Sequence, residues 1–165
     1  MIVVVWGVSG CGKSTVGKKL ADKLGWMFHD ADDFHSDLNV DKMRQGIPLQ
    51  DEDRYPWLAQ LATLLRDING QDQSAVLACS ALKQDYRSLL GINHEDIRAV
   101  HLSGREDLIR TRLAKRSHEF MNKSLIQSQF AALEPSKYGL SLDITASPQD
   151  LCQSIIEQLK LDPEL

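Results

Sequence analysis

Ile2-Val3-Val4-Val5-Trp6 is a continuous apolar run, rich in β-branched residues and too short for a helix, which predicts a buried strand. From about Ser14 to Leu24 the spacing turns helical, with Val16, Leu20 and Leu24 on one face, and Gly25 stops the helix. Trp26-Met27-Phe28 reads as a short strand delivering Asp30, Ala31 and Asp32 at its C-terminal end. Asn39 is expected to cap a short helix from Val40 to Gln45, closed by Gly46. Asp53 starts a longer helix through Trp57, Leu58, Leu61 and Leu65, ending at Asn69-Gly70. Ala75 to Cys79 is a second buried strand, followed by a helix from about Leu82 to Leu90. Ile97 to Leu102 is a further strand, and Glu106 to about Lys115 a basic amphipathic helix. Ser117 to Lys123 breaks the pattern and Ser124 to Leu133 resumes it before Pro135. A strand from about Leu140 to Ile144 and a helix from Pro148 to Leu159 complete the series. Strands alternating with helices predict a three-layer α/β/α domain around a five-stranded parallel sheet, with ligands beyond the strand C-termini.

Composition narrows the class of partner. The 165 residues, 42% of them hydrophobic, suit one domain over 1–165 with a full core. No apolar run is long enough to span a bilayer, and Ile2–Trp6 is too short for a signal core, so no membrane role is expected. A net charge of −4 argues against extended binding to nucleic acid or anionic lipid. Cys11, Cys79 and Cys152 are far apart and fit no metal spacing, which points to a reducing, cytoplasmic location.

Chemistry enters with the eight residues from Gly7 to Ser14, which read G-x-x-x-x-G-K-S between the first strand and the first helix. This is the phosphate-binding P-loop: glycines let successive N–H groups converge, and the helix N-terminus adds its positive dipole end. Gly7, Val8, Ser9, Gly10, Cys11, Gly12, Lys13, Ser14 and Thr15 are the expected ATP contacts. Lys13 would reach the β- and γ-phosphates, and Ser14 would ligate Mg2+. Asp30 and Asp32 alternate along an extended segment, so Asp30 is expected on the metal through water and Asp32 on the acceptor hydroxyl. Arg54 could reach over the sheet rim or pair with Asp51 or Asp53. Lys83 and Arg87, four apart, could clamp an anionic substrate or form a solvated basic face. Arg112 and Arg116 precede the broken segment and suit a mobile helical lid, about 116–135, that carries charge onto the transferring phosphoryl group. His29, His94 and His101 show no ligand spacing and read as bystanders, and Trp57, Phe130 and Leu133 as core or pocket wall. Cys11, beside a helix N-terminus, is expected to react with thiol reagents, with ATP protecting it. These residues describe a kinase of an anionic, hydroxylated acceptor. A shikimate-type or nucleoside monophosphate kinase, or a non-catalytic ATP-binding module, stays open on them alone.

The run Asp32-x-x-His35-x-x-x-Asn39-x-x-Lys42-Met43-x-x-Gly46-x-Pro48-Leu49-x-Asp51-x-Asp53-Arg54-x-Pro56-Trp57-Leu58 resembles the signature of gluconokinases, small P-loop kinases related to shikimate and adenylate kinases. Cys79-Ser80-Ala81-Leu82-Lys83-x-x-Tyr86-Arg87 resembles a second block, and Leu125-Ile126-x-Ser128-Gln129-Phe130-x-x-Leu133-Glu134-Pro135 a third. The resemblance implies ATP- and Mg2+-dependent phosphorylation of D-gluconate at its 6-hydroxyl, in sugar-acid breakdown, by a homodimer with a mobile lid. It also implies that Asp32 contacts that hydroxyl while His35, Arg54, Lys83 and Arg87 line the acceptor site. Ala31, Ser36 and Cys11 depart from the usual glycine, proline and serine, and His118-Glu119-Phe120 replaces the usual Gly-His-Phe of the lid. Gly91 ends the second block where the family continues into Leu-Arg.

Overall fold

The computed structural model describes residues 1–92, 94–116 and 123–163. Strand β1 (Ile2–Trp6) is buried at every residue, which suits the centre of a parallel sheet covered on both faces. β3 (Ala75–Cys79) pairs on one side of it and β4 (Ile97–Ser103) on the other. β2 (Met27–Asp30) and β5 (Leu140–Asp143) form the edges, giving the order β2-β3-β1-β4-β5 with every pairing parallel. This is the five-stranded α/β architecture that the alternating pattern predicts. Trp6 lies opposite Cys79 and His101, so the C-terminal ends of the three central strands share one rim.

Side-chain alternation along β1 divides the core into two layers. Val3 and Val5 join a cluster with Val16, Leu20 and Leu24 of α1 (Lys13–Leu24), Ile109 and Leu113 of α5 (Glu106–Ala114), and Leu151 and Ile155 of α7 (Pro148–Leu159). Ile2, Val4 and Trp6 join the other cluster, with Leu58, Leu61 and Leu65 of α3 (Asp51–Gly70) and Tyr86 of α4 (Gln84–Leu89). Burying a leucine such as Leu20 or Leu61 contributes roughly 1.5–3 kcal/mol, so both layers hold the rim in place. α6 (Lys123–Ala132) sends Ile126 into the first cluster, with Phe130 packed against it, whereas α2 (Asp37–Arg44) buries only Asn39.

Three helix starts differ from the sequence reading by two or three residues, each for a local reason, and β2 runs on past the expected Phe28 to Asp30. α2 starts earlier because Ser36, not Asn39, is its N-cap: the Ser36 hydroxyl accepts the Asn39 N–H at 3.2 Å. Asn39 is buried within the helix and donates its side-chain amide to the Asp53 carbonyl at 2.9 Å. α3 starts at Asp51 because Asp53 sits two residues inside it, accepting the Gln50 N–H at 2.9 Å. α4 is shorter than expected because Lys83 is its extended N-cap, with φ −95° and ψ 148°.

Candidate active site

At the end of β1 the chain turns through 7–12 and enters α1. Gly10 and Gly12 have φ of 81° and 95°, conformations that side chains rarely adopt. A Cβ on Gly10 would also lie 2.8 Å from Leu113 of α5, so the loop rests directly on that helix. The first turn of α1 holds no acidic residue, which leaves its amide end positive and suited to an anion. Lys13 folds back so that its ammonium donates to the Val8 carbonyl at 3.0 Å. Cys11 is 1% exposed. That burial contradicts the expected thiol reactivity: reagents would have to open the loop first.

The Ser14 hydroxyl donates to Asp30 Oδ2 at 2.6 Å, and Asp30 Oδ1 accepts the Asp32 N–H at 3.0 Å. Asp30 therefore caps the single 3₁₀ turn Ala31–Phe34 and joins it to the start of α1. A hydroxyl beside a carboxylate is a hard-oxygen set that fits Mg2+, whose remaining ligands come from phosphates and water. Among the described residues no group of three or more His, Cys, Asp or Glu is placed to hold a metal by itself.

The 3₁₀ turn projects Asp32 outward, with its side chain 76% exposed and Oδ1 3.9 Å from His35 Nε2. Trp57 fixes the turn from below by donating its indole N–H to the Ala31 carbonyl at 2.7 Å. His35 stacks on Trp57 with ring centroids 4.2 Å apart, and its Nδ1 lies 3.4 Å from the Asn39 amide nitrogen. Burial, then the Arg54 charge, pushes the His35 pKa down to about 4, so the ring is neutral near pH 7. With Asn39 donating to Nδ1, the proton sits on Nε2, on the Asp32 side.

Arg54, from the first turns of α3, donates to the Leu49 carbonyl at 2.7 Å and the Tyr86 hydroxyl at 3.3 Å. The two acids it could have paired with go elsewhere. Asp53 takes Lys42 at 2.7 Å, and Asp51 accepts from Lys83 at 3.0 Å and from the Tyr86 hydroxyl. Asp32 and His35, and then Arg54, Tyr86, Lys83 and Asp51, thus form a polar line whose two parts are joined by the Arg54 charge acting on His35 and not by a hydrogen bond.

Two expected site residues lie elsewhere. Arg87 does not join Lys83 in a clamp, because Lys83 precedes α4 in extended conformation and the four-residue helical spacing does not apply. Arg87 is instead 1% exposed, with its guanidinium 4.2 Å from the Trp6 ring centroid. It donates to the carbonyls of Ala81 and Leu82, both at 2.9 Å, and of Glu134 and Pro135 at 3.0 and 3.3 Å. Arg112 donates to the Ile144 carbonyl at 2.7 Å and lines a cleft of about 330 Å³ with Gly10, Gly12, Arg116, Ala146 and Pro148. That cleft contains neither Asp32 nor Lys83, so Arg112 suits the nucleoside end of a nucleotide better than the transferring phosphoryl group. Of the expected lid, α6 is a helix, whereas 117–122, with His118, lie outside the described residues.

Sequence reasoning quoted Tyr86 and Gln129 only within the family blocks and gave Asp51 only as a possible partner of Arg54, so none of the three received a site role. Gln129, on α6, accepts the Ser9 N–H of the P-loop at 2.7 Å, a contact spanning 120 residues. Only the third family block singled it out.

A family model described as an AAA domain matches residues 2–136. A probable gluconokinase of Rattus norvegicus is 42% identical, over 96% of this chain and 97% of its own length. A sugar kinase from Janibacter sp., solved without ligand, superimposes with a TM-score of 0.90 at 41% identity, covering 98% of this chain and 95% of that one. A gluconokinase from Sinorhizobium meliloti gives a TM-score of 0.85 at 34% identity, covering 96% and 90%.

Proposed function

Since the chain belongs to the gluconokinase family, we propose that it transfers the γ-phosphoryl group of ATP to the 6-hydroxyl of D-gluconate. The observation that carries this reading is the exposed Asp32 carboxylate at the head of the polar line, joined through Asp30 to Ser14 of the P-loop. A long, anionic, hydroxylated acceptor matches a row of carboxylate, imidazole, guanidinium and ammonium groups.

The triphosphate lies on the amides of 7–15, and Lys13 leaves the Val8 carbonyl for the β- and γ-phosphates. Arg112 supports the base, and Arg116 reaches the phosphates as the lid closes. Ser14, and Asp30 through water, would hold Mg2+, which neutralises charge on the phosphates when bound. Asp32 accepts the hydrogen bond of the 6-hydroxyl and receives its proton as that oxygen bonds to phosphorus. The β–γ bridging oxygen leaves with ADP. His35, neutral with a proton on Nε2, donates toward Asp32 or the substrate without adding a competing cation. Because phosphoryl transfer is governed by positioning and electrostatics, Asp32 contributes chiefly by aiming the alcohol. A cytoplasmic homodimer belongs to the same reading and is supported by the family resemblance.

A coupled assay with ATP, magnesium and a panel of sugar acids tests it. Wild type should favour gluconate, and Asp32→Asn should lower kcat by about 10²–10⁴-fold while ATP binding is retained. Turnover of other acids with none on gluconate would remove the acceptor assignment, and full activity in Asp32→Asn would remove the role of that residue.

A further inference from the structure

Asp51 opens α3 with its side chain 38% exposed, yet it is held by two donors on one oxygen. Lys83 Nζ donates to Oδ1 at 3.0 Å, and the Tyr86 hydroxyl donates to the same atom. Tyr86 and then Lys83 keep the carboxyl below the usual carboxylate range. Tyr86 is itself 2% exposed, and Arg54 and Lys83 each lie 5.6 Å from its ring centroid. The start of α3 does not require this carboxylate, because Asp53 supplies the capping bond to Gln50. A half-exposed acid anchored by a buried phenol is oriented, whereas a solvated surface pair has no such anchor.

An ionised carboxylate accepts at both oxygens. With Oδ1 engaged by Lys83 and Tyr86, Oδ2 keeps acceptor capacity. A second carboxylate placed there would be repelled; a hydroxyl would be bound. Lys83 has two further N–H donors, so it can bridge Asp51 and an acid group lying next to that hydroxyl.

We propose that Asp51 is a specificity-determining residue of the acceptor site, accepting a hydrogen bond from a hydroxyl of the polyhydroxy acid while Lys83 and Arg54 take its carboxylate. This rests on the gluconate reading above. The test compares kcat/KM for D-gluconate and for gluconates lacking single hydroxyls at C2 or C3, in wild type, Asp51→Asn and Tyr86→Phe. Wild type should disfavour one deoxy acid by about tenfold or more. Asp51→Asn should lower kcat/KM for gluconate by about tenfold through KM, shrink that preference to within about threefold, and leave the KM for ATP unchanged. Tyr86→Phe, which only loosens Asp51, should give an intermediate loss. An equal loss on every acceptor would make Asp51 merely structural and overturn the proposal. So would tighter gluconate binding by Asp51→Asn, which would mean that the carboxylate competes with the substrate. If wild type turns over another polyhydroxy acid but not gluconate, the acceptor identity fails alone, and the same comparison on that acid and its deoxy forms decides the role of Asp51.

Discussion

A guanidinium sealed between a tryptophan face and four carbonyls does different work from one offered to a substrate. Arg87 ties the loop after β3, through Ala81 and Leu82, to the chain leaving α6, through Glu134 and Pro135. An ammonium carries the same charge but cannot span both segments with a planar fork. Arg87→Lys should therefore lower stability by about 2–4 kcal/mol, read as the urea midpoint at constant slope. The same variant should keep most gluconate affinity at a temperature where it stays folded. Unchanged stability with gluconate binding abolished would return Arg87 to the substrate clamp that its spacing from Lys83 first suggested. The contrast with Lys83 shows how one residue of helix boundary decides the role of a side chain.

Among the elements, α2 is short and carries the contacts that orient His35 on the acceptor side. Eight residues are too few to hold a helix in water without help. Ser36 caps it, and Asn39 in its first turn orients His35 and grips the Asp53 carbonyl. Ser36→Ala should cost about 1 kcal/mol of stability and raise the KM for gluconate more than that for ATP, both measurable in the coupled assay and by urea unfolding. Equal effects on the two substrates would show that α2 does not belong to the acceptor side. Both Ser36 and Asn39 are good caps by type, which is why the pattern alone placed the helix start too late. β1, β3 and α7 were legible to the residue because a buried parallel strand and a capped amphipathic helix are written in contiguous residues. The P-loop was legible for the same reason. The Asp51–Tyr86–Lys83 cluster was not, since its partners lie 32 and 35 residues apart and only the packing of α3 against α4 brings them together. Gln129 on Ser9 is harder still, because the link depends on where α6 docks.

For the molecule as a whole, pH acts through half-buried imidazoles. His101 stacks on Trp6 with centroids 4.0 Å apart, and Arg87 lies 4.2 Å from the same ring. Two groups that close cannot share one face, so the indole is sandwiched between them. Burial, then the Arg87 charge, pushes the His101 pKa down to about 4, and His35 is lowered to the same value. An unfolded chain would bind a proton at each ring near the ordinary 6.5, while the folded chain resists until about pH 4. The unfolded state therefore holds more protons throughout that window, and stability rises with pH across it. Asp51 and Asp53 are also lowered, but from 3.8, so their contribution is lost only at more acidic pH. Between pH 7 and pH 4.5 the loss should reach a few kcal/mol and level off above pH 7. His101→Gln should unfold more easily than wild type at pH 7.5, where the stack is lost, but fall less steeply as the pH drops, because one of the titrating rings is gone. Urea midpoints at pH 7.5, 6 and 5 for both proteins measure the two slopes. Parallel slopes would mean that His101 takes no part in the acid sensitivity, and that the Arg87–Trp6–His101 stack tolerates a second positive charge beneath the phosphate loop.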